Sequence, residues 1–212
     1  MTESFAKNVA TSAADAAKIR PRAEFRVFGQ NVIRGVQERM WDAGATLQKA
    51  RRMPAETYFL SRHTDEANVK VRDRLLDIKV KTGATPEGYE IFQPAGKFEF
   101  PVSKADLSTI LSHLKAPMLL DAATYTIDDF VRLARAGADL VPVTIEKMRY
   151  GFTVGGVICE YAQVWLNGAM IETACCESED YMAMKHAVEA LGLAVMENTS
   201  YIRAAKRVTG MI

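Results

Sequence analysis

Cations recur two residues apart in three stretches of this chain. In Asn68 to Lys81 (NVKVRDRLLDIKVK), read as two short strands, Lys70 and Arg72 share a face of the first strand. Asp77, Lys79 and Lys81 share a face of the second, while Val69, Val71, Leu76, Ile78 and Val80 point the other way. The spacing returns in IEKMRY, where Lys147 and Arg149 project from one side of a strand. Side chains of this type, turned inward from one closed sheet, would line a pocket suited to an anion with several phosphates. The same spacing also fits an ordinary sheet whose charged face is wet, so the arrangement of the strands has to decide.

The elements that must position these residues follow from periodicity and punctuation. Residues 1–20, rich in Ala, Ser and Thr, support at most a loosely docked helix, and Pro21 ends it. RAEFRVFG alternates, with Ala23, Phe25 and Val27 opposite Glu24, Arg26 and Phe28, and predicts a first strand closed by Gly29. Val32, Ile33, Val36 and Met40 predict a helix ending near Gly44, and ETYFLS from Glu56 to Ser61 predicts the next strand. After the cationic pair, Lys81 to Gly83 opens a turn; Tyr89 to Phe92 and Lys97 to Val102 are strand segments interrupted at Pro94 and Gly96. Ser103 caps a helix to Leu114, and Thr126 caps another to Ala136 with Asp128 and Asp129 in its first turn. Strands from Val141 to Tyr150 and from Phe152 to Trp165 lead to Asn167-Gly168, a two-residue hairpin signal into Ala169 to Glu177. With those two residues at the centre of the turn, Leu166 faces Ala169, Gln163 faces Glu172, Glu160 faces Cys175 and Cys159 faces Cys176. Helices over Met184 to Leu191 and Thr199 to Val208 close the chain.

The chain has 212 residues, with 27 Lys plus Arg against 26 Asp plus Glu. That balance gives no general attraction to duplex nucleic acid or anionic membrane, so a polyanion site must be local. Three cysteines make neither a disulfide framework nor a zinc pattern, which suits a reducing cytoplasm. No apolar run approaches the roughly 20 residues needed to span a bilayer. A soluble, cytoplasmic protein is expected, with residues 21–212 as a single domain.

In order, these pieces resemble the CYTH superfamily, also called triphosphate tunnel metalloenzymes, from about Glu24 to Tyr201. NVKVR is similar to that family's LRIR strand, DIKVK to its Lys-bearing strand and IEKMRY to its later Lys/Arg strand; Ser-Glu-Asp before a helix and Ser200-Tyr201 near the end complete the order. The resemblance implies an α+β fold, a closed or nearly closed eight-stranded antiparallel β tunnel with flanking helices. It also implies phosphate binding through Arg26, Lys70, Arg72, Lys79, Lys81, Lys147 and Arg149. By the same resemblance Glu24 and Glu177 are the catalytic candidates, and Glu24, Glu160 and Glu177 the carboxylates for Mg. The family's first strand reads E-x-E-x-K, whereas Glu24, Arg26 and Phe28 stand here, and its last reads E-x-E, whereas Cys175 and Glu177 stand here. A hard divalent ion prefers anionic oxygen ligands, so a cation and a thiol in those places imply weak Mg binding.

Three functions are compatible with these residues. The favoured one is a tunnel protein binding a triphosphate, a nucleotide or an acidic partner segment, with metal-dependent catalysis weakened or lost. The second is a Mg-dependent phosphohydrolase or cyclase of a triphosphate compound, and the third a scaffold in a protein assembly. Other features read plainly: Asp128-Asp129 as charge at a helix N-terminus, His63 as a solvated loop residue, Tyr201 as packing for the terminal helix, and the adjacent Cys175 and Cys176 as packing on opposite faces of one strand.

Overall fold

The computed structural model describes residues 21–212. The expectation for residues 1–20 therefore lies outside the described residues. Eight antiparallel strands close into a barrel in the order β1 (Arg22–Gly29), β10 (Ala169–Ser178), β9 (Val157–Leu166), β8 (Leu140–Val154), β2 (Lys49–Ser61), β3 (Ala67–Arg72), β4 (Leu75–Ala84) and β5 (Glu90–Glu99), with β5 returning to β1. Two short strands, β6 (Val102–Ser103) and β7 (Thr124–Tyr125), pair outside it. Five helices accompany the barrel among the described residues: α1 (Val32–Asp42), α2 (Lys104–His113), α3 (Ile127–Ala136), α4 (Tyr181–Ala190) and α5 (Tyr201–Val208). The α+β tunnel implied by the resemblance is thus the observed architecture.

Strand alternation sends each apolar set to a different side. Ala23, Phe25 and Val27 of β1 join Cys159 and Tyr161 of β9 and Ala174 and Cys176 of β10 on the outer wall, under Val36, Met40, Met184 and Val188 of α1 and α4. On the opposite wall, Phe59, Val69, Val71, Leu76 and Ile78 pack under Leu107, Ile110 and Phe130 of α2 and α3, with Phe59 stacked on Phe130 at 4.0 Å between ring centroids. A third cluster fills one end of the interior, where Leu60, Val143, Ile145, Val164 and Leu166 meet Ile202 and Ala205 of α5. That helix stoppers the barrel.

Local signals explain most boundaries. Ser103 Oγ accepts from Asp106 N, and Thr126 with Asp129 forms a reciprocal capping box. The hairpin has the register the turn dictates: Leu166 opposite Ala169, Gln163 opposite Glu172, Glu160 opposite Cys175 and Cys159 opposite Cys176. Several boundaries differ from the sequence reading, among them the break expected at Gly151, through which β8 runs to Val154 before turning at Gly155-Gly156. Strand β2 begins at Lys49, seven residues before the expected Glu56, because Pro54 sits where the register with β8 shifts between Met53 and Glu56. A bulge tolerates a proline that a regular ladder would not, so the proline hid a strand that continues through it. Strand β4 likewise runs through the expected turn to Ala84, and the two segments around Pro94 and Gly96 are one strand with register shifts against β4.

Candidate functional site

The interior is graded along its axis, and β8 shows the gradient best. From the stoppered end outward its inward residues are Val143, Ile145, Lys147, Arg149 and Gly151. The same layers recur on β2 as Leu60, Tyr58, Glu56, then Met53, Arg51 and Lys49 beyond the bulge, and on β9 as Leu166, Val164, Ala162 and Glu160. Apolar packing therefore occupies one end and charge the other.

Glu56 is the centre of the deeper charged layer. Only 2 % exposed, it accepts from Lys70 Nζ at 2.7 Å and Lys147 Nζ at 2.5 Å, with Arg72 Nη1 at 3.5 Å. Burial alone would raise its carboxyl, but Lys147 and Lys70 outweigh burial and hold it down to about 2. Lys147 also donates to Tyr58 Oη at 3.0 Å and lies 4.4 Å from the centroid of the Tyr201 ring. The face of an aromatic ring attracts a cation, so the stopper helix contributes a neutral contact to a charged layer. Tyr201 does more here than hold the helix.

A second network spans β1, β10 and β9. Arg26, 4 % exposed, donates from Nε to Glu24 at 2.6 Å and from Nη2 to Cys175 Sγ at 3.0 Å, with Nη1 near Thr173 Oγ1 and 4.0 Å from Glu160. Its guanidinium carbon lies 4.5 Å from the Tyr201 centroid. Arg149 closes the chain of charges with a tight ion pair to Glu160. Glu177 stands directly opposite Glu24 in the ladder. Burial would raise Glu24, but the Arg26 guanidinium and a hydrogen bond from it hold the carboxyl below its ordinary value, whereas burial and the neighbouring Glu24 push Glu177 above. Burial also pushes the Cys175 thiol well up, so it is neutral.

All seven residues expected to grip phosphate lie on inward-facing positions, but most meet carboxylates. Lys81 reaches Glu90 at 2.8 Å, Lys70, Arg72 and Lys147 share Glu56, and Arg26 and Arg149 share Glu160. Lys79 is exposed, without a carboxylate at ion-pair distance among the described residues, and acts at longer range on Glu24 and Glu177. Of the three carboxylates expected to hold metal, Glu24 and Glu177 are neighbours, while Glu160 is engaged by arginines. Among the described residues no group of three or more His, Cys, Asp or Glu is placed to hold a metal ion. With Arg26 between the carboxylates, this donor set does not fit Mg as it stands.

Sequence reading missed Glu56, Tyr58, Glu90, Lys49 and Arg51. The first two were visible as alternate residues of ETYFLS, and Lys49, Arg51 and Met53 alternate in KARRM, a signal masked by the proline that follows. The remaining features behave plainly. His63 Nε2 lies 2.8 Å from Asp139 and is half-exposed, Asp129 caps α3, and Cys176 lies on the outer wall with its Sγ 3.7 Å from Cys159 Sγ.

No family model matches the chain, and no curated protein matches it by sequence. Solved structures do. They include HpAC1 of Hippeastrum, an adenylyl cyclase candidate described as having a dominant triphosphatase activity, at 14 % identity over 92 % of this chain and 97 % of that one, with a TM-score of 0.49. Others are the PH1012 protein of Pyrococcus horikoshii (15 % identity, 85 % and 97 % covered, TM-score 0.46) and an adenylate cyclase candidate of Bacillus halodurans (9 %, 88 % and 98 %, 0.46). The likeness is one of fold. Among the described residues, no helix is long and apolar enough to cross a membrane.

Proposed function

We propose that the chain is a tunnel protein that binds a phosphate-rich anion, a triphosphate or nucleotide, through inward Lys and Arg, with metal-dependent catalysis weakened or lost. One observation carries this reading: cations from β1, β2, β3, β4 and β8 face a single closed interior, while Arg26 occupies the middle of the carboxylates that a metal would need. A low-dielectric wall strengthens the attraction of such cations for phosphate oxygens, and a buried guanidinium at close range opposes a divalent ion by the same physics. The acidic residues of a protein segment would satisfy the same cations, so an acidic partner or a place in an assembly belongs to the same reading. Duplex nucleic acid, for which the near-neutral charge balance gives no general attraction, does not.

Calorimetric titration with tripolyphosphate and with ATP, each in chelator and with magnesium, tests it. Binding in chelator is expected, and its absence would overturn the reading. A second reading, a Mg-dependent phosphohydrolase or cyclase, draws on one feature: Glu24 and Glu177 are neighbouring carboxyls with proton affinities driven apart, as an acid and a base require. Magnesium-dependent turnover abolished by Glu177→Gln would select it.

A further inference from the structure

One outer wall of the barrel carries large apolar side chains that the helices leave uncovered. Strand alternation turns Lys147, Val164 and Ile171 inward and therefore sends Met148, Trp165 and Met170 outward. Among the described residues, these three join none of the apolar clusters through which the helices pack on the barrel. Met170 is 44 % exposed, and Met148 and Trp165 are half-buried. The ladder fixes their neighbours: Arg52, Met148, Gln163 and Glu172 form one row across β2, β8, β9 and β10, and Glu146, Trp165 and Met170 form the next. Methionine and tryptophan bordered by polar side chains are the composition of a contact surface rather than of a wetted one.

The charges select the partner. Arg52 stands at the β2 end of its row and Glu172 at the β10 end, with no charge between them. Half a turn about an axis lying in the face along the strands reverses the strand order, so that β2 of each copy meets β10 of the other. Arg52 then faces Glu172 at both flanks, and Trp165, whose indole N–H is a donor, faces Glu146. Both charges are free to answer: Glu172 gives Oε2 to Ile33 N at 2.9 Å and keeps Oε1, and the ion pair of Arg52 with Glu146 is long, at 3.9 Å, and exposed. A partner of uniform charge would be repelled at one flank, whereas a second copy of this chain is complementary at both.

We infer that the outer β2–β8–β9–β10 face is a self-association surface on which two copies of the chain pair about that two-fold axis, with Met148, Trp165 and Met170 at the centre and Arg52 and Glu172 at the flanks. The inference is independent of the anion-binding reading, because these side chains point away from the interior. Strands about 4.8 Å apart that rise about 3.4 Å per residue make this a face of about 20 Å on a side, at the small end of specific interfaces, so the dimer is expected to dissociate on dilution.

Sedimentation velocity over a wide concentration series tests it on the full chain and on variants of the face. A monomer–dimer equilibrium is expected for the unmodified chain. Trp165→Thr, Arg52→Glu and Glu172→Lys are each expected to weaken it about tenfold or more. An equimolar mixture of Arg52→Glu with Glu172→Lys, in which opposite charges meet again at both flanks, is expected to recover most of that loss. A chain that stays monomeric at every concentration would overturn the inference and leave the face to residues 1–20 or to another protein. Association that survives both Trp165→Thr and Arg52→Glu would move the contact elsewhere and overturn it equally. Weakening by the single variants without recovery in the mixture would overturn the two-fold arrangement. Circular dichroism checks that Glu172→Lys, which loses the bond to Ile33 N, still folds; if it does not, Trp165→Thr and Arg52→Glu still decide the face.

Discussion

A buried carboxylate that answers three cations is worth more to the fold than any of its partners singly. Glu56→Gln would leave Lys70 and Lys147 charged, largely buried and without their counter-charge, a change that costs about 3 kcal/mol or more. Its pH dependence has a definite sign. Held down to about 2 in the folded chain, Glu56 contributes stability that is fully present above the ordinary carboxylate value and is lost as pH falls through that value toward about 2. Urea unfolding at stepped pH should show an acid limb of about 3 kcal/mol attributable to this group, and Glu56→Gln should remove it. Glu177 works in the opposite direction. Its raised proton affinity, caused by burial and by Glu24, means that the destabilising contribution is absent in acid and grows as pH rises from the ordinary carboxylate value through the raised one. Glu177→Gln is therefore expected to stabilise the fold at pH 7, on the order of 1 kcal/mol, and to do nothing near pH 4. A variant equally destabilised at both pH values would contradict this assignment.

The terminal helix is the element that sets what kind of interior this barrel has. Beyond Glu24 the free edge of β1 is met by the chain leading into α5, where Arg26 N donates to Asn198 Oδ1 at 3.0 Å and Thr199 N donates to Arg26 O at 2.7 Å. Lys206, 3 % exposed, then ties α5 to the β2–β3 loop through Thr64 O at 3.1 Å and Asp65 at 2.5 Å. Tyr201 enters the interior ring first, and its buried hydroxyl has no hydrogen-bond partner among the described residues. Tyr201→Phe is expected to be neutral or stabilising because it removes an unsatisfied polar group while keeping the ring. Tyr201→Ala should cost about 3–5 kcal/mol, read as a lower urea midpoint. Little of this was legible in the sequence, because a helix of eight residues reports its apolar stripe but not which cavity receives it. The hairpin was legible, since Asn167-Gly168 fixes its own turn and a turn fixes a register. Thiol titration checks the consequence: Cys159, Cys175 and Cys176 are reduced and at most 3 % exposed, so all should react with a thiol reagent after unfolding and none rapidly before. The charged layer was half legible: period two gave the inward cations of β3, β4 and β8, but whether each is free or neutralised depends on carboxylates brought from strands far away in sequence. Glu56 lies 91 positions from Lys147.

At the scale of the molecule, the interior is a balance between cations and carboxylates that two substitutions can tip. Arg26 and Cys175 stand side by side across the β1–β10 ladder, within reach of Glu24, Glu160 and Glu177. Arg26→Glu with Cys175→Glu would exchange a guanidinium and a neutral thiol for two carboxylates, adding oxygen donors where a cation now repels a divalent ion. Without metal the new acids would repel Glu24, Glu177 and one another, so the variant should unfold at a lower temperature than the unmodified chain in chelator. Magnesium that binds only the folded state should reverse that loss in proportion to RT ln(1 + [Mg]/Kd), while leaving the unmodified chain nearly unmoved. Thermal unfolding across a magnesium series reads both effects without relying on turnover. A large magnesium-dependent rise for the unmodified chain would show that Arg26 does not defeat the metal. A double variant that remained destabilised at every magnesium concentration would show that the barrel no longer holds the geometry a metal needs.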